Sequence, residues 1–250
     1  MLTLTQIQKM AMDRKAKIGI GDGGGDIVEK SAELARKEGY AEVEVFNEAQ
    51  SLVSALKKGN IQGAVRGTLD AREVVNSLKS EFDVKKILRI AFLVMKDERL
   101  VLLAPVGIDE GRGIEEKLEL ISKGHELLTK FNVEPKIGIL SGGRLEDMGR
   151  DLKVDESLLI GEELTKQTMD MGIKAKHFGI LLENAFKESN MVISPEGITG
   201  NLIFRALHFF GGAIGIGASV VNLDNVFVDT SRAKKDYSTS IALASALCGL

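Results

Sequence analysis

The chain has 250 residues, with 33 Lys and Arg against 36 Asp and Glu, a formal net charge of −3 and 44% hydrophobic residues. That length supports one large or two small domains with cores of their own, the balanced charge argues against a nucleic-acid binder with its basic face, and a lone cysteine, Cys248, excludes an internal disulfide and fits a reducing compartment. No run reaches the roughly 18–20 apolar residues of a bilayer span, and Met1–Asp13 lacks the long apolar core of a secretory leader, so the expectation is a cytoplasmic protein without nucleic-acid or membrane partners.

Leu2, Leu4, Ile7 and Met10 are spaced like a short amphipathic helix. Lys17–Gly21 reads as a strand, Asp22–Asp26 as a glycine turn and Ile27–Lys37 as a helix closed by Gly39. Glu42–Phe46 is a second strand, Gln50–Lys58 a second helix and Gly63–Gly67 a third strand. Asp70–Phe82 is a third helix with Asp70 as its N-cap. This alternation predicts a parallel sheet covered by helices. The Gly-Asp-Gly-Gly-Gly-Asp turn contains G-x-G, but its carboxylates and its glycine spacing do not suit a dinucleotide phosphate.

The rhythm then changes. Val84–Met95 reads as a long apolar strand, Lys96–Arg99 as a charged turn and Leu100–Val106 as a return strand, hence an antiparallel hairpin and a place for a domain crossover. Ile114–Phe131 is a long helix. Lys136–Leu140 is a strand ending in Ser141-Gly142-Gly143-Arg144, and Leu158–Met171 and Ala185–Ser189 are further helices. Met191–Ser194 is a strand stopped by Pro195 and Gly197. Leu202, Ile203, Ala206, Leu207 and Phe210 recur at helical spacing, which places Thr199, Gly200 and Asn201 at a helix start. Gly211–Leu223 reads as a core strand or a homodimer contact. Val226–Val228 is a strand ending in Asp229-Thr230-Ser231-Arg232, and an apolar helix closes the chain. The fold class is α/β, with two lobes of mainly parallel sheet flanked by helices. Residues 1–92 plus 229–250 are expected to form one lobe and 93–228 the other, with a ligand cleft between them.

No metal motif is present: His125, His177 and His208 are scattered, and there is no nucleophile elbow and no methyl-donor glycine loop with an acidic ribose partner. What remains is suited to an anion. A serine and an arginine after a strand offer a hydroxyl and a planar fork of donors. Two readings of Arg232 stand, an anion ligand or a surface pair with Asp229 or Asp236. Ser141-Gly142-Gly143-Arg144 is a second such loop, open equally to a plain glycine turn with a solvated arginine.

The Pro195…Gly200-Asn201 element, Gly211-Gly212-Ala213, and Ser231-Arg232-Ala233 ahead of Ser240-Ile241-Ala242 resemble, in order and spacing, the C-terminal signature of the phosphate acetyltransferase and butyryltransferase family. The wider layout resembles the archaeal branch called methanogenesis marker protein four, labelled methyltransferase subunit X. The resemblance implies the two-lobed isocitrate/isopropylmalate dehydrogenase-like fold and a transferase in methanogen metabolism. Ser231 and Arg232 would bind a phosphate or acyl-phosphate oxygen, and Gly200 and Asn201 would line the cleft. Asp236 would act as base on a thiol such as coenzyme A, the one substrate-like cofactor implied. Arg66, Thr68, Ser141, Gly142, Gly143 and Arg144 join the ligand set. In the loop after the third strand, usually rich in hydroxyls, one threonine, Thr68, is kept, and Asp70 and Arg72 depart from the pattern. The expected partner is a small anionic metabolite. Three functions follow: a transacylase-type transferase, a methyl-transfer component, or a non-catalytic binder of an anionic metabolite.

Overall fold

The computed structural model describes residues 2–250. The chain divides into two compact units, one of Thr3–Ile87 with Ile216–Leu250, the other of Leu88–Gly215 with Leu2. The first unit opens with α1 (Leu4–Arg14), β1 (Lys17–Gly21), α2 (Ile27–Lys37), β2 (Glu42–Phe46), α3 (Ala49–Lys57), β3 (Gly63–Val65) and α4 (Ala71–Phe82). The second unit follows with β4 (Arg89–Val94), β5 (Leu100–Ala104), α5 (Ile114–Lys130), β6 (Ile137–Leu140), a 3-10 turn (Leu145–Asp147), α6 (Leu152–Asp170), β7 (Ala175–Gly179), α7 (Leu182–Glu188), β8 (Met191–Ile193) and α8 (Gly197–Phe209). The chain then returns through β9 (Ile214–Val220), β10 (Val226–Asp229) and α9 (Ser238–Leu247).

In the first unit the strand order is β2-β1-β3-β10-β9, parallel except for β9 against β10. The central strands are short runs such as Gly63-Ala64-Val65, buried on both faces, as a helix-covered parallel sheet requires. Every residue of α9 but Thr239 is buried, so its near-continuous apolarity is that of a core helix. Its three buried serines are all satisfied, Ser238 Oγ by donating to Asp236 Oδ2 at 2.6 Å. Ser240 Oγ donates to Ile216 O at 2.6 Å, and Ser245 Oγ accepts from Ala16 N at 3.2 Å. In the second unit the order is β4-β5-β8-β6-β7, with β4–β5 an antiparallel hairpin and the rest parallel. The α/β class with mostly parallel strands flanked by helices is the one expected.

Several expectations are corrected. The division falls after Ile87 and Gly215 rather than at 92 and 229, because β4 pairs with β5 while β10 pairs with β3. The strand expected over Val84–Met95 begins at Arg89. Val84 and Ile87 are apolar because they pack on the core formed by α3 and α4, not because they pair. Helix α6 starts at Leu152, six residues before the expected start, where the Asp151 carboxylate accepts from Lys153 N and Val154 N at 2.9 and 3.3 Å. An exposed leucine at its head hid that start from the apolar pattern. Edge strand β7 was not expected at all; only Phe178 and Gly179 of its five residues are buried, so it carries no apolar run.

One glycine positions the loops discussed below. Gly67 follows β3 with φ +60°, and a Cβ there would collide with the carbonyl oxygen of Gly21 at the end of β1. Both the conformation and the close approach demand glycine. Gly67→Ala is therefore expected to lower unfolding free energy by about 2–3 kcal/mol in urea denaturation. Gly67→Asn, which tolerates the backbone angle, is expected to lose as much, because the obstruction is steric.

Candidate functional site

Parallel β1, β3 and β10 end side by side in the first unit, and their following loops are tied to one another. Thr68 Oγ1 accepts from Gly23 N at 2.8 Å and donates to Asp22 Oδ1 at 3.2 Å, fastening the glycine turn to the loop after β3. Thr230 Oγ1 donates to Gly67 O at 3.1 Å. The buried Arg66 guanidinium pairs through Nε with Asp229 and donates from Nη1 to Leu69 O at 2.8 Å. Arg232 stands apart: its side chain is 60% exposed, and its Nη1 lies 3.5 Å from Asp70 Oδ2. The surface partner is thus neither Asp229 nor Asp236. Asp70 also caps α4, accepting from Arg72 N and Glu73 N at 2.9 and 3.2 Å. Those two backbone bonds, with Arg232 and Arg66 behind them, hold its carboxyl below the usual range.

The loop after β10 is built around two further groups. Ser231 Oγ accepts from Ala233 N at 3.2 Å, and its carbonyl accepts from the buried Tyr237 hydroxyl at 3.0 Å. Asp236 accepts from Ser238 N at 2.9 Å and from Ser238 Oγ at 2.6 Å, so both carboxylate oxygens serve the amino end of α9. Lys234, unremarked in the sequence, turns inward. Its Nζ donates to Ser240 Oγ, Thr239 Oγ1 and Ile216 O at 2.7, 3.2 and 3.4 Å. Burial pushes its pKa down to about 8, against the opposing pull of Asp236. No periodicity marks it, since it sits in a loop among charged neighbours. Arg66, Thr68, Ser231, Arg232 and Asp236 therefore fall in one set of strand-end loops.

Ser141, Gly142, Gly143, Arg144, Gly200 and Asn201 belong to the second unit. Ser141 is buried, with Oγ 2.9 Å from His177 Nε2, and Gly142 N donates to Ser157 Oγ at 2.8 Å. Burial holds the His177 imidazole below its usual range. Arg144 is exposed, and its amide donates to Asp147 Oδ2 at 2.9 Å. Helix α8 begins two residues before the expected Thr199. Glu196 caps it, its carboxylate accepting from Ile198 N and Thr199 N at 2.7 and 3.0 Å. The Gly200 amide consequently donates to Glu196 O at 3.0 Å within the helix, while Asn201 Nδ2 donates to Val106 O at 3.0 Å. Both residues fasten α8 to the loop after β5; a Cβ at Gly200 would strike Pro105 O.

At the carboxyl ends of β5, β8 and β6 in this unit lies a pocket of about 450 Å³. Its walls include Ile139, Leu140, Ile160, Leu164 and Ile198, with Glu110, Arg112, Lys117, Lys153, Glu156 and Glu196 among them. Glu110 is buried and held by Arg89 Nε at 2.6 Å; burial pushes its carboxyl up more strongly than Arg89 pulls it down. Burial likewise raises the Glu196 carboxyl, but its bonds from Thr199 and Ile198 and the nearby Lys117 outweigh that and leave it low. The sequence carries one sign of this pocket. Lys117 lies on the face of α5 that buries Leu120, Ile121, Gly124 and Leu128, a charge within an apolar stripe. Among the described residues no group of three or more His, Cys, Asp or Glu is placed to hold a metal ion, and no helix is long and apolar enough to cross a membrane.

No family model matches the chain. It is 46% identical over 201 residues to a protein named "Putative methyltransferase mtx subunit X" from Methanosarcina barkeri, covering 80% of this chain and 74% of that one. It is 37% identical over 223 residues to an uncharacterized methyltransferase of Methanocaldococcus jannaschii, covering 86% and 89%. Among solved structures, a phosphotransacetylase from Streptococcus pyogenes superposes with a TM-score of 0.73 at 14% identity, covering 98% of this chain and 97% of that one, a likeness of fold.

Lys234 gives the strand-end loop a pH signature. Its folded pKa of about 8 lies below the ordinary 10.5, so between those values the unfolded chain holds a proton that the folded chain has released. Its contribution to stability therefore rises with pH across that window and is flat below it. Chemical denaturation of wild type and Lys234→Met at several pH values is expected to show the difference growing in favour of wild type from about pH 8 to 10. A difference independent of pH would contradict the burial of that ammonium.

Proposed function

Because the chain belongs to the mtx subunit X family of methanogens and shares its fold with the phosphotransacylases, we propose that it is a group-transfer protein that holds a phosphate or acyl-phosphate-type anion on Ser231 and Arg232. The observation that carries this reading is the contrast between the two arginines of the strand-end loops. Arg66 is enclosed by Asp229 and Leu69, whereas Arg232 is mostly exposed, with one ion pair at 3.5 Å. An open guanidinium beside a hydroxyl at the carboxyl ends of parallel strands is suited to anion recognition. Transfer to a thiol such as coenzyme A would form a carbon–sulfur bond as the carbon–oxygen bond to phosphate breaks. The leaving phosphate would stay on Arg232 and the thiol proton would pass to a base. The two bonds from Ser238 favour Asp236 as a positioning residue at the head of α9 over the proton acceptor.

The relatives' names favour a second reading, a methyl-transfer component, and the same cationic loops would then hold an anionic methyl donor. Titration calorimetry with phosphate, acetyl phosphate and coenzyme A tests the shared premise. Wild type is expected to bind at least one of them, Arg232→Ala to lose at least about tenfold in affinity, and Arg232→Lys to keep part of it, as expected for a charge-assisted contact. Unchanged affinity in Arg232→Ala removes the proposal. Turnover with acyl phosphate and thiol, against turnover with a methylated pterin or corrinoid, separates the two chemistries.

A further inference from the structure

We propose that the pocket of the second unit is a separate binding site for an organic monoanion, a carboxylate on an apolar chain, anchored by Lys117. The lysine is only 5% exposed and lines the pocket from the first turns of α5. Its ammonium donates no hydrogen bond to the described residues and lies within ion-pair distance of no carboxylate among them, and since no fully enclosed side-chain nitrogen lacks a partner, the nitrogen keeps part of the lysine's small exposed surface. A lysine almost wholly removed from water, with no hydrogen bond and only a through-space attraction to Glu196, is expensive to keep. The surface it retains opens on the pocket, where a ligand can supply the missing acceptor.

The charges around it set the ligand's valence. Glu110 is neutralised by Arg89. The Glu196 carboxylate is engaged by the amides of Ile198 and Thr199 and acts on Lys117 only through space. Arg112, Lys153 and Glu156 are exposed at the rim, where solvent screens them. That leaves the Lys117 ammonium attracted by Glu196 only through space and with no carboxylate at bonding distance, a place for one ligand carboxylate. Ser157 adds a second donor: its Oγ accepts from Gly142 N at 2.8 Å, and its own hydrogen has no acceptor among the described residues. The remaining wall, Ile139, Leu140, Ile160 and Leu164, selects an apolar body, and 450 Å³ lies within the range of small-molecule sites, about 300–1,000 Å³. Burial also lowers the Lys117 pKa, as it does for any ammonium held without an anion.

Hexanoate is the probe, with hexan-1-ol as the chain without the charge and inorganic phosphate as the charge without the chain. Calorimetry is expected to show one saturable hexanoate site in wild type, with both controls at least tenfold weaker. Lys117→Met is expected to lose at least tenfold in hexanoate affinity and to melt at a higher temperature, since the buried ammonium is gone. Ile160→Trp, which fills the pocket with Lys117 in place, is expected to lose the site as well and decides the matter should the methionine variant fail to fold. Arg232→Ala is expected to bind hexanoate as wild type does, which keeps this site distinct from the strand-end loops of the first unit. No hexanoate binding by wild type, unchanged affinity in Lys117→Met or Ile160→Trp, or loss in Arg232→Ala would overturn the assignment.

Discussion

The pairing of Arg66 with Asp229 is the constraint on which the first unit's strand-end loops depend. The two residues are 163 positions apart in sequence and adjacent in space, because β3 and β10 run parallel as neighbours. An arginine this buried is tolerable only when its charge is matched, and loss of one partner from such a pair typically costs about 3–5 kcal/mol. The pair thus does more than close a hydrogen-bond inventory: it fixes where β10 ends and so where Ser231 and Arg232 begin. The adjoining ties, Thr230 to Gly67 and Thr68 to Asp22 and Gly23, bind the loops after β1, β3 and β10 into one surface.

Within that surface burial separates residues that look alike in sequence. Arg66 and Arg232 both follow a strand of the same parallel set, yet one is enclosed and fully directed while the other keeps most of its guanidinium in solvent. Asp70, Asp229 and Asp236 divide in the same way, into a cap for α4, a partner for Arg66 and an acceptor for Ser238 at the head of α9. A residue that satisfies the frame is rigid and unavailable, and a residue the frame leaves over is available for a ligand. The distinction cannot be made from spacing, because it depends on which neighbour the fold brings within reach.

The same reasoning marks how far the sequence was legible. Glycine punctuation and short apolar runs place β1, α2 and β2 at their observed bounds, and the charged turn at Lys96–Arg99 announces the hairpin. Reading by apolarity fails where an apolar residue serves something other than its own element. Val84 and Ile87 extend the apparent strand because they belong to the core of the first unit, and exposed Leu152 obscures the head of α6. It fails again where a polar residue is inside. Glu196 caps α8 from a position that looked like loop, and Lys117 and Lys234 look like solvent-facing charges until the packing around them is known. The anion-shaped loops were visible as Ser-Arg pairs, but the sequence could not assign Ser141 to a buried bond with His177.

Fold alone does not choose between acyl and methyl transfer, since one scaffold hosts several chemistries and the decision lies in the site. What the two readings share is an anion held by a cation that the protein leaves open to solvent, its one ion pair with Asp70 at 3.5 Å. The strand-end loops present such a cation in the open, where water weakens it and exchange is fast, as suits a substrate that must leave. The second unit presents another deep in an apolar wall, where low dielectric makes the attraction strong and the penalty of emptiness high. An exposed guanidinium discriminates by shape and charge; a buried ammonium discriminates by what the ligand can bring with its charge. On the two proposals made above, the chain would recognise two anions of different character, one hydrophilic and one with an apolar body.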